Sequence, residues 1–458
     1  MKTRELDLIQ SELLALSDLA VRRALQKGAN EAEALSSKAD MISVNIRKLT
    51  AEARCGTPSG VGIRVAVEGK VGFAAATGTD KRLIDAVVEE ALAVARIRPA
   101  DPNFKHLPDP VKLASEDGTI DSSITEFSED DALASVSEFA KRALALDKRV
   151  KSFYGTLLVN RACFAVSSSR GIEASSKTSY IEASARCTTA EEGRQKTGTD
   201  SLVSRRLTDF SQIGESAAKN SLKMLGAKPL SQTFKSSVVW ENVSIGELLK
   251  DTLGSATDAG NAMDGRSRYE GKVGEEVTSP DITAIDDGQL PEGIATSKVD
   301  GEGIPRRTTK IIDRGVLKTY IYNGYSSARQ NRESTGNASR DWPEPFLQLP
   351  GTSITNLVVI PGAKRIDELA AEIGEGILVT DRPIGIGMSN LTTGEFSVVA
   401  PNAYLIAKGE ITYPLEPVSI AGNILDALKK VQLVGQDVRL LSEGKIPSMV
   451  LDDLTVSG

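Results

Sequence analysis

Gly60-Val-Gly-Ile-Arg-Val-Ala-Val-Glu-Gly-Lys-Val-Gly-Phe-Ala74 is the stretch from which the fold is read. Ile63, Val65 and Val67 alternate along it, Val71 and Phe73 resume the alternation, and Glu68-Gly69-Lys70 lies between, which predicts two antiparallel strands joined by a tight turn. Ile42, Val44 and Ile46 alternate in the same way upstream and predict a third strand. Further out the period changes. Leu6, Ile9, Leu13 and Leu16 recur at helical spacing between Glu5 and Lys27, with Gly28-Ala-Asn30 as the stop. Ile84, Val87, Val88, Leu92 and Val94 place a second helix between Asp80 and Ile97.

Downstream, Asp101 to Asp121 reads as a proline-rich connection and Asp130 to Leu146 as a helix. Lys151–Val159, Arg161–Ser167, Ile172–Glu182 and Ala183–Thr188 read as a strand meander turned at Arg170-Gly171, and Leu207 to Leu225 closes this part as a helix. The order predicts an α+β unit whose antiparallel sheet carries helices on one face. Gly226-Ala-Lys-Pro-Leu230 reads as a joint, so the chain divides into 1–226 and 227–458, and a further division near 100–125 is compatible with the proline-rich connection. After Thr233 the texture is mainly β. A strand over Ser236–Trp240 and a helix from Val243 to about Ala259 precede short strands separated by glycine turns such as Asp313-Arg-Gly315 and Ala407-Lys-Gly409, which predicts a mainly antiparallel, barrel-like unit. A helix over Ile424–Val431 and a final strand pair end the pattern near Leu454.

Composition narrows the function. The chain has 458 residues, long enough for two or three domains, with 55 Lys and Arg against 62 Asp and Glu and a formal charge of −7. That balance offers nothing to a phosphate backbone, so nucleic acid is a poor partner. No uncharged apolar run approaches the roughly 18 residues a membrane span needs, and MKTRELDLIQ at the start has no apolar signal region, so a cytoplasmic protein is expected. Cys55, Cys163 and Cys187 form no Cys-x-x-Cys pair and read as reduced thiols. A single histidine, His106, excludes His-Glu-x-x-His zinc sites built from this chain alone, and its place between Pro102 and Pro108 reads as a solvated or packing residue of a loop, so no His-based triad is assigned to it.

Several local patterns invite chemistry. Ser216-Ala-Ala-Lys219 and Lys196-Thr-Gly198 are pieces of a serine nucleophile site, but their order is reversed, and Lys196-Thr-Gly198 reads as a polar loop. Gly60-Val-Gly62 and Gly385-Ile-Gly387 lack the third glycine and helix of a pyrophosphate cradle and read as strand-edge glycines. Asp286-Asp287 and Glu275-Glu276 lack calcium-loop spacing and read as solvated turns. Asn331–Arg340 and Gly385–Gly394 are polar loops of the kind that carry binding function on a rigid sheet, or plain surface connections.

The hairpin Gly60–Ala74, Asp300-Gly-Glu-Gly-Ile-Pro305 and Ile311–Tyr322 together resemble the TldD/PmbA family, historically labelled modulator of DNA gyrase. The strongest likeness runs from Thr393-Gly-Glu-Phe-Ser397 through Ala403-Tyr-Leu-Ile-Ala-Lys-Gly-Glu410 to Ile420-Ala-Gly-Asn423. The resemblance implies a metalloprotease assembly in which an active TldD-type subunit pairs with a TldE (PmbA)-type subunit and cleaves unfolded peptides. Active members carry His-Glu-x-x-x-His on the helix after the first C-terminal strand. Matching Gly254 to the family glycine puts Lys250 and Ser255 at the histidine positions and Asp251 at the glutamate position. A shift of a few residues changes nothing, since this half has no histidine. The third ligand, a cysteine in a C-terminal glycine-rich turn, is also missing from Leu440-Leu-Ser-Glu-Gly-Lys-Ile-Pro447.

The resemblance therefore implies a TldE-type, non-catalytic subunit that binds no metal itself. It would form a heterodimer with a TldD-type subunit that holds the zinc. Two other readings stay open: a peptidase using Ser216 with Lys219, and a homodimeric peptide-binding or regulatory protein.

Overall fold

Residue parity along the strands sorts the first half of the chain into two faces. The computed structural model describes residues 3–112 and 119–458, so residues 113–118 of the proline-rich connection lie outside it. The first half runs α1 (Thr3–Gln26), β1 (Glu31–Arg47), β2 (Thr50–Gly56), β3 (Ser59–Val67), β4 (Lys70–Thr77), α2 (Ile84–Ile97), α3 (Ser122–Glu126), α4 (Glu129–Leu146), β5 (Val150–Ser168), β6 (Glu173–Glu191), β7 (Arg194–Ser204) and α5 (Gln212–Lys223). Its strands form one seven-stranded antiparallel sheet in the order β4-β3-β1-β5-β6-β7, with β2 folded back on β1. Successive side chains on a strand point to opposite faces. On β1, Ala32 and Ala34 pack with α1 and α2, and Ile42, Val44 and Ile46 pack with α4 and α5. Leu35, of the other parity, packs with Val299, Ile304 and Phe346 of the second half. One face of the sheet thus carries helices and the other receives the rest of the chain.

Local chemistry starts these helices where hydrogen bonds can be closed. Ser128 and Asp131 form a reciprocal capping box at the head of α4, satisfying two otherwise orphaned donors. Gly60 and Gly62 have a different duty from the strand-edge role expected of them, because β3 lies between β1 and β4. A Cβ on Gly62 would stand 2.0 Å from the Phe346 carbonyl oxygen, and one on Gly60 2.3 Å from the Phe346 ring. They are face glycines that let the second half dock on the sheet.

The second half runs β8 (Phe234–Trp240), α6 (Asn242–Thr257), α7 (Ala259–Met263), β9 (Ala284–Asp287), β10 (Thr308–Asp313), β11 (Val316–Leu317), α8 (Gly324–Arg329), β12 (Ala338–Ser339), β13 (Gly351–Thr352), β14 (Leu357–Val359), α9 (Ile366–Ile373) and β15 (Gly376–Val379). It continues with β16 (Glu395–Ala400), β17 (Ala403–Ala407), β18 (Glu410–Leu415), β19 (Val418–Asn423), α10 (Ile424–Leu428), β20 (Val434–Leu441) and β21 (Gly444–Ser457). Twelve strands form one branched, mainly antiparallel sheet that stays open instead of closing into a barrel. Two parallel pairs, β8 with β15 and β14 with β21, interrupt the antiparallel order. The glycine turns fall as expected: Arg314-Gly315 joins β10 to β11 and Lys408-Gly409 joins β17 to β18, all four residues at positive φ. α6 buries Ile245, Leu248, Leu249, Leu253 and Ala256 in the main core of this half.

Several expected boundaries move. Lys151–Val159 and Arg161–Ser167 are one strand, β5, and Ile172–Glu182 and Ala183–Thr188 are one strand, β6. The polar Asn160-Arg161 pair does not break β5, because both residues stay in register with β1 and β6 and Arg161 pairs with Asp40 and the Ile124 carbonyl. Lys196-Thr-Gly198 is β7 instead of a loop. Gly198 is needed there because a Cβ would meet the Ser221 backbone nitrogen of α5 at 2.1 Å. The helix expected over Leu207–Leu225 begins only at Gln212, and that over Ile424–Val431 ends at Leu428.

Candidate functional site

Where the even-numbered face of β6 meets the second half, a cleft of about 370 Å³ opens. Phe164, Thr178 and Tyr180 line it from the first half, and Lys250, Arg306, Arg340 and Trp342 from the second. A concave site with a few convergent polar groups at a junction of two layers is the usual form of a ligand site.

Three guanidinium groups hold the walls of the cleft together. Arg205 donates to the carbonyls of Gly293, Ile294 and Thr296 at 2.6–2.7 Å and to Thr119 O and Thr178 Oγ1, fixing the 293–296 loop to β6. Arg64 Nη2 donates at 2.8 Å to both Glu33 and Glu302, and Arg340 donates to Glu33 from the other side. All four residues of that second cluster are buried, and it joins β1 and β3 to the Asp300–Pro305 segment. Two of the segments singled out in the sequence therefore meet in one ion-pair network. The Gly324 N–H donates to Glu302 Oε2 at 2.6 Å, while burial and Glu33 raise the Glu302 pKa against the pull of Arg64. Asp300 is pushed up to about 7 by burial and by Glu302, although three backbone N–H groups point at it.

Thr355 joins the floor of the cleft. Its N–H donates to Asp286 at 2.6 Å, its hydroxyl oxygen accepts from Arg306 at 2.6 Å, and its carbonyl accepts from the Lys250 ammonium at 2.9 Å. Burial lowers the Lys250 pKa, opposed by the charges of Glu443, Asp286 and Asp251. Asp286 is 1 % exposed, so the solvated turn expected at Asp286-Asp287 is instead a buried bracket between Thr355 and Asn337. Glu275 and Glu276 are exposed. The Asn331–Arg340 stretch is no plain surface loop: Asn337, Ala338 and Arg340 are buried, and Ala338 to Arg340 line the cleft. The Gly385–Gly394 loop behaves oppositely and exposes Met388.

Lys250, Asp251 and Ser255, the residues that the resemblance matched to the metal motif, all lie on α6. Lys250 points to the cleft, Asp251 is exposed on the flank, and the Ser255 carbonyl accepts from Asn261. The turn between β20 and β21 comes back to the same helix: Ser442 lines the cleft, and Glu443 Oε2 lies 3.6 Å from where a Cβ on Gly246 would be. Sequence reasoning named that turn only for the cysteine it lacks and passed over Glu443. Its signal was a lone carboxylate in a short tight turn. Elsewhere, Lys219 pairs with Glu215 at 2.6 Å on the exposed side of α5 and Lys196 pairs with Glu416, so neither amine is placed against Ser216. His106 is far in sequence from α6, its Nδ1 2.7 Å from the Leu107 carbonyl oxygen. Cys55 is exposed, Cys163 and Cys187 are buried, and no disulfide joins them. No helix among the described residues is long and apolar enough to cross a membrane.

Comparison with known proteins places this architecture. Models for the PmbA/TldA metallopeptidase domain 1, central domain and C-terminal domain match residues 39–95, 122–225 and 233–458. An uncharacterized protein of Methanocaldococcus jannaschii is 27% identical over 406 residues, 88% of this chain and 91% of that protein. The metalloprotease PmbA of Escherichia coli O157:H7 is 25% identical over 449 residues, covering 96% of this chain and 95% of that one. Several metalloprotease TldD homologs match over about half of each chain, that of Haemophilus influenzae at 29% identity over 46% of both. The crystal structure of TldE from Thermococcus kodakarensis superposes with a TM-score of 0.86 at 21% identity, over 97% of this chain and 100% of that one.

The name metalloprotease makes a metal plausible for such relatives, but the residues at this site do not fit one. A lysine ammonium stands at the centre of the α6 face. Among the described residues no group of three or more His, Cys, Asp or Glu side chains is placed to hold a metal ion. On the three domain matches and the nearly full-length relatives, the chain belongs to the PmbA/TldD family.

Proposed function

We propose that this chain is the non-catalytic, TldE/PmbA-type subunit of a two-component metalloprotease acting on unfolded peptides. Its TldD-type partner supplies the zinc, and this chain supplies a peptide-handling wall. One observation carries the reading: at the helix positions where active relatives are expected to hold metal, α6 presents Lys250, Asp251 and Ser255, with the Lys250 ammonium held on the Thr355 carbonyl. A fixed positive charge opposes a divalent cation at the same place. We divide the chain into 1–226 and 227–458, a reading that the two separate sheets support, and the cleft between the halves is where peptide would lie. A cytoplasmic setting suits the reduced cysteines.

The test is metal content and peptidase activity of the purified chain, alone and after mixing with a TldD-type subunit, using an unfolded casein fragment. The chain alone is expected to be metal-free and inert, with activity appearing on mixing. Stoichiometric metal together with cleavage by the chain alone would overturn the proposal.

A further inference from the structure

Behind one end of the cleft, next to its lining residues Lys250 and Ser442, negative charge outnumbers positive. Glu443, in the β20–β21 turn, has a side chain only 9% exposed, with Oε1 3.1 Å from Arg382 Nη2. Its other oxygen, Oε2, is buried and has no hydrogen-bond partner. A buried carboxylate oxygen without a partner costs the fold its full desolvation penalty, and a bound donor is one way to offset that cost. Oε2 is aimed at the α6 turn that carries Gly246, Glu247 and Lys250.

Three further carboxyls surround it. Glu247 shares the Arg382 guanidinium at 3.3 Å, Asp251 follows one turn along α6, and Glu182 lies on β6 two residues from the cleft-lining Tyr180, on the same face of the strand. Burial raises the pKa of each, and the charge of Glu443 raises each further. Asp251 is the most exposed of them and contributes least. Four carboxylates therefore face two cations, Lys250 and Arg382. The next charges outward, Asp286 and Arg306, offset one another and are both engaged by Thr355. Each of Glu182, Asp251 and Glu443 is within two residues of a cleft-lining residue: Tyr180, Lys250 and Ser442.

We propose that this acidic end of the cleft binds an organic monocation, the protonated amine of an unfolded peptide. The acceptor set is wrong for a divalent ion, which needs several carboxylate oxygens converging on one point, and no such convergence exists among the described residues. It suits an ammonium, whose three N–H donors can be shared among one buried carboxylate oxygen and neighbouring polar groups such as the Tyr180 and Ser442 hydroxyls. Lys250 is tied to the Thr355 carbonyl and leaves that oxygen to the ligand. The inference rests on the peptide-handling reading above and specifies which group of the peptide this subunit holds.

Calorimetric titration of the full chain tests it, with three probes: an alanine-rich heptapeptide with a free N-terminus, its N-acetyl form, and the N-acetyl form carrying one central lysine. The free-amine peptide is expected to bind at least tenfold more tightly than the acetylated one. Recovery with the lysine-bearing probe would show that a side-chain amine also serves, and no recovery would assign the site to the α-amine. Glu443→Gln keeps an acceptor for Arg382 and removes the charge, and Glu182→Gln does the same from the other sheet. Both are expected to abolish the preference, while Glu443→Gln unfolds at the same temperature as the parent or higher. Equal binding of free and acetylated peptides, a preference that survives both variants, or saturable uptake of zinc or magnesium chloride by the cluster would overturn the inference. Activity on mixing with a TldD-type subunit is read separately. Activity without amine preference removes this inference alone, and amine preference without activity removes the proposed function alone.

Discussion

Lys250 changes what α6 can do, because an ammonium among apolar and engaged polar neighbours must stay desolvated. Its pKa is lowered, so the unfolded chain binds this proton more readily, and the cost to stability is present at neutral pH and fades as pH rises toward the ordinary lysine value. Lys250→Met is therefore expected to raise the thermal midpoint at pH 7, by an amount that shrinks toward pH 10, as calorimetry would read. Glu241, beside the N-terminus of α6, behaves as the opposite kind of group: burial, then Asp437, pushes its carboxyl up to about 7 from 4.5. A raised carboxyl stabilises the fold below its unfolded value and loses that contribution as pH rises through the folded one. Parent stability should fall between about pH 4.5 and 7, by about 1–3 kcal/mol for a half-buried group, and Glu241→Gln should flatten that slope in urea titrations at several pH values. At this scale the missing histidines were legible in the sequence by counting. Glu443 was not, since an orphaned oxygen exists only once neighbours are in place.

Elements dock through absences as much as through contacts. Gly62 lets the segment around Phe346 lie flat on β3, and a methyl group there would meet a backbone oxygen that cannot swing away. Gly62→Ala is expected to cost about 3 kcal/mol or more and to loosen the second half from the sheet, seen as a lower urea midpoint and faster proteolysis near residue 346. The ion-pair network on the same face gives a complementary prediction. Arg64→Met leaves Glu33 with only Arg340 and strips Glu302 of its guanidinium, at a cost of about 3–5 kcal/mol, whereas replacing Arg64, Glu33 and Glu302 together with apolar residues should recover much of it. Alternation gave the hairpin β3–β4 and the glycine turns from local residues alone. It split β5 at Asn160 and β6 after Glu182, because a polar residue looks like a break, and only the continuous pairing of β5 and β6 across the ladder shows why each strand runs on.

At the scale of the whole molecule, the free face of the first sheet meets the segments around Val299, Ile304 and Phe346 of the second half, and the cleft lies at that junction, with walls from segments more than a hundred residues apart. If the walls act together, a variant that loosens the junction, such as Gly62→Ala, should lower activity measured after mixing with a TldD-type subunit while leaving the partner's metal content unchanged. The sequence by itself determined the α+β class, the long amphipathic helices α1, α2, α4 and α6, the β3–β4 hairpin, the family likeness and the lack of imidazole and thiolate on α6, because each follows from residue identity and short-range period. Tertiary structure alone decided that the second sheet stays open, that Asp286 and Arg340 are buried, and that Glu247 and Glu443 share Arg382 beside the cleft. Those are long-range facts: burial and charge repulsion depend on which distant segments are packed together, and no local pattern records that.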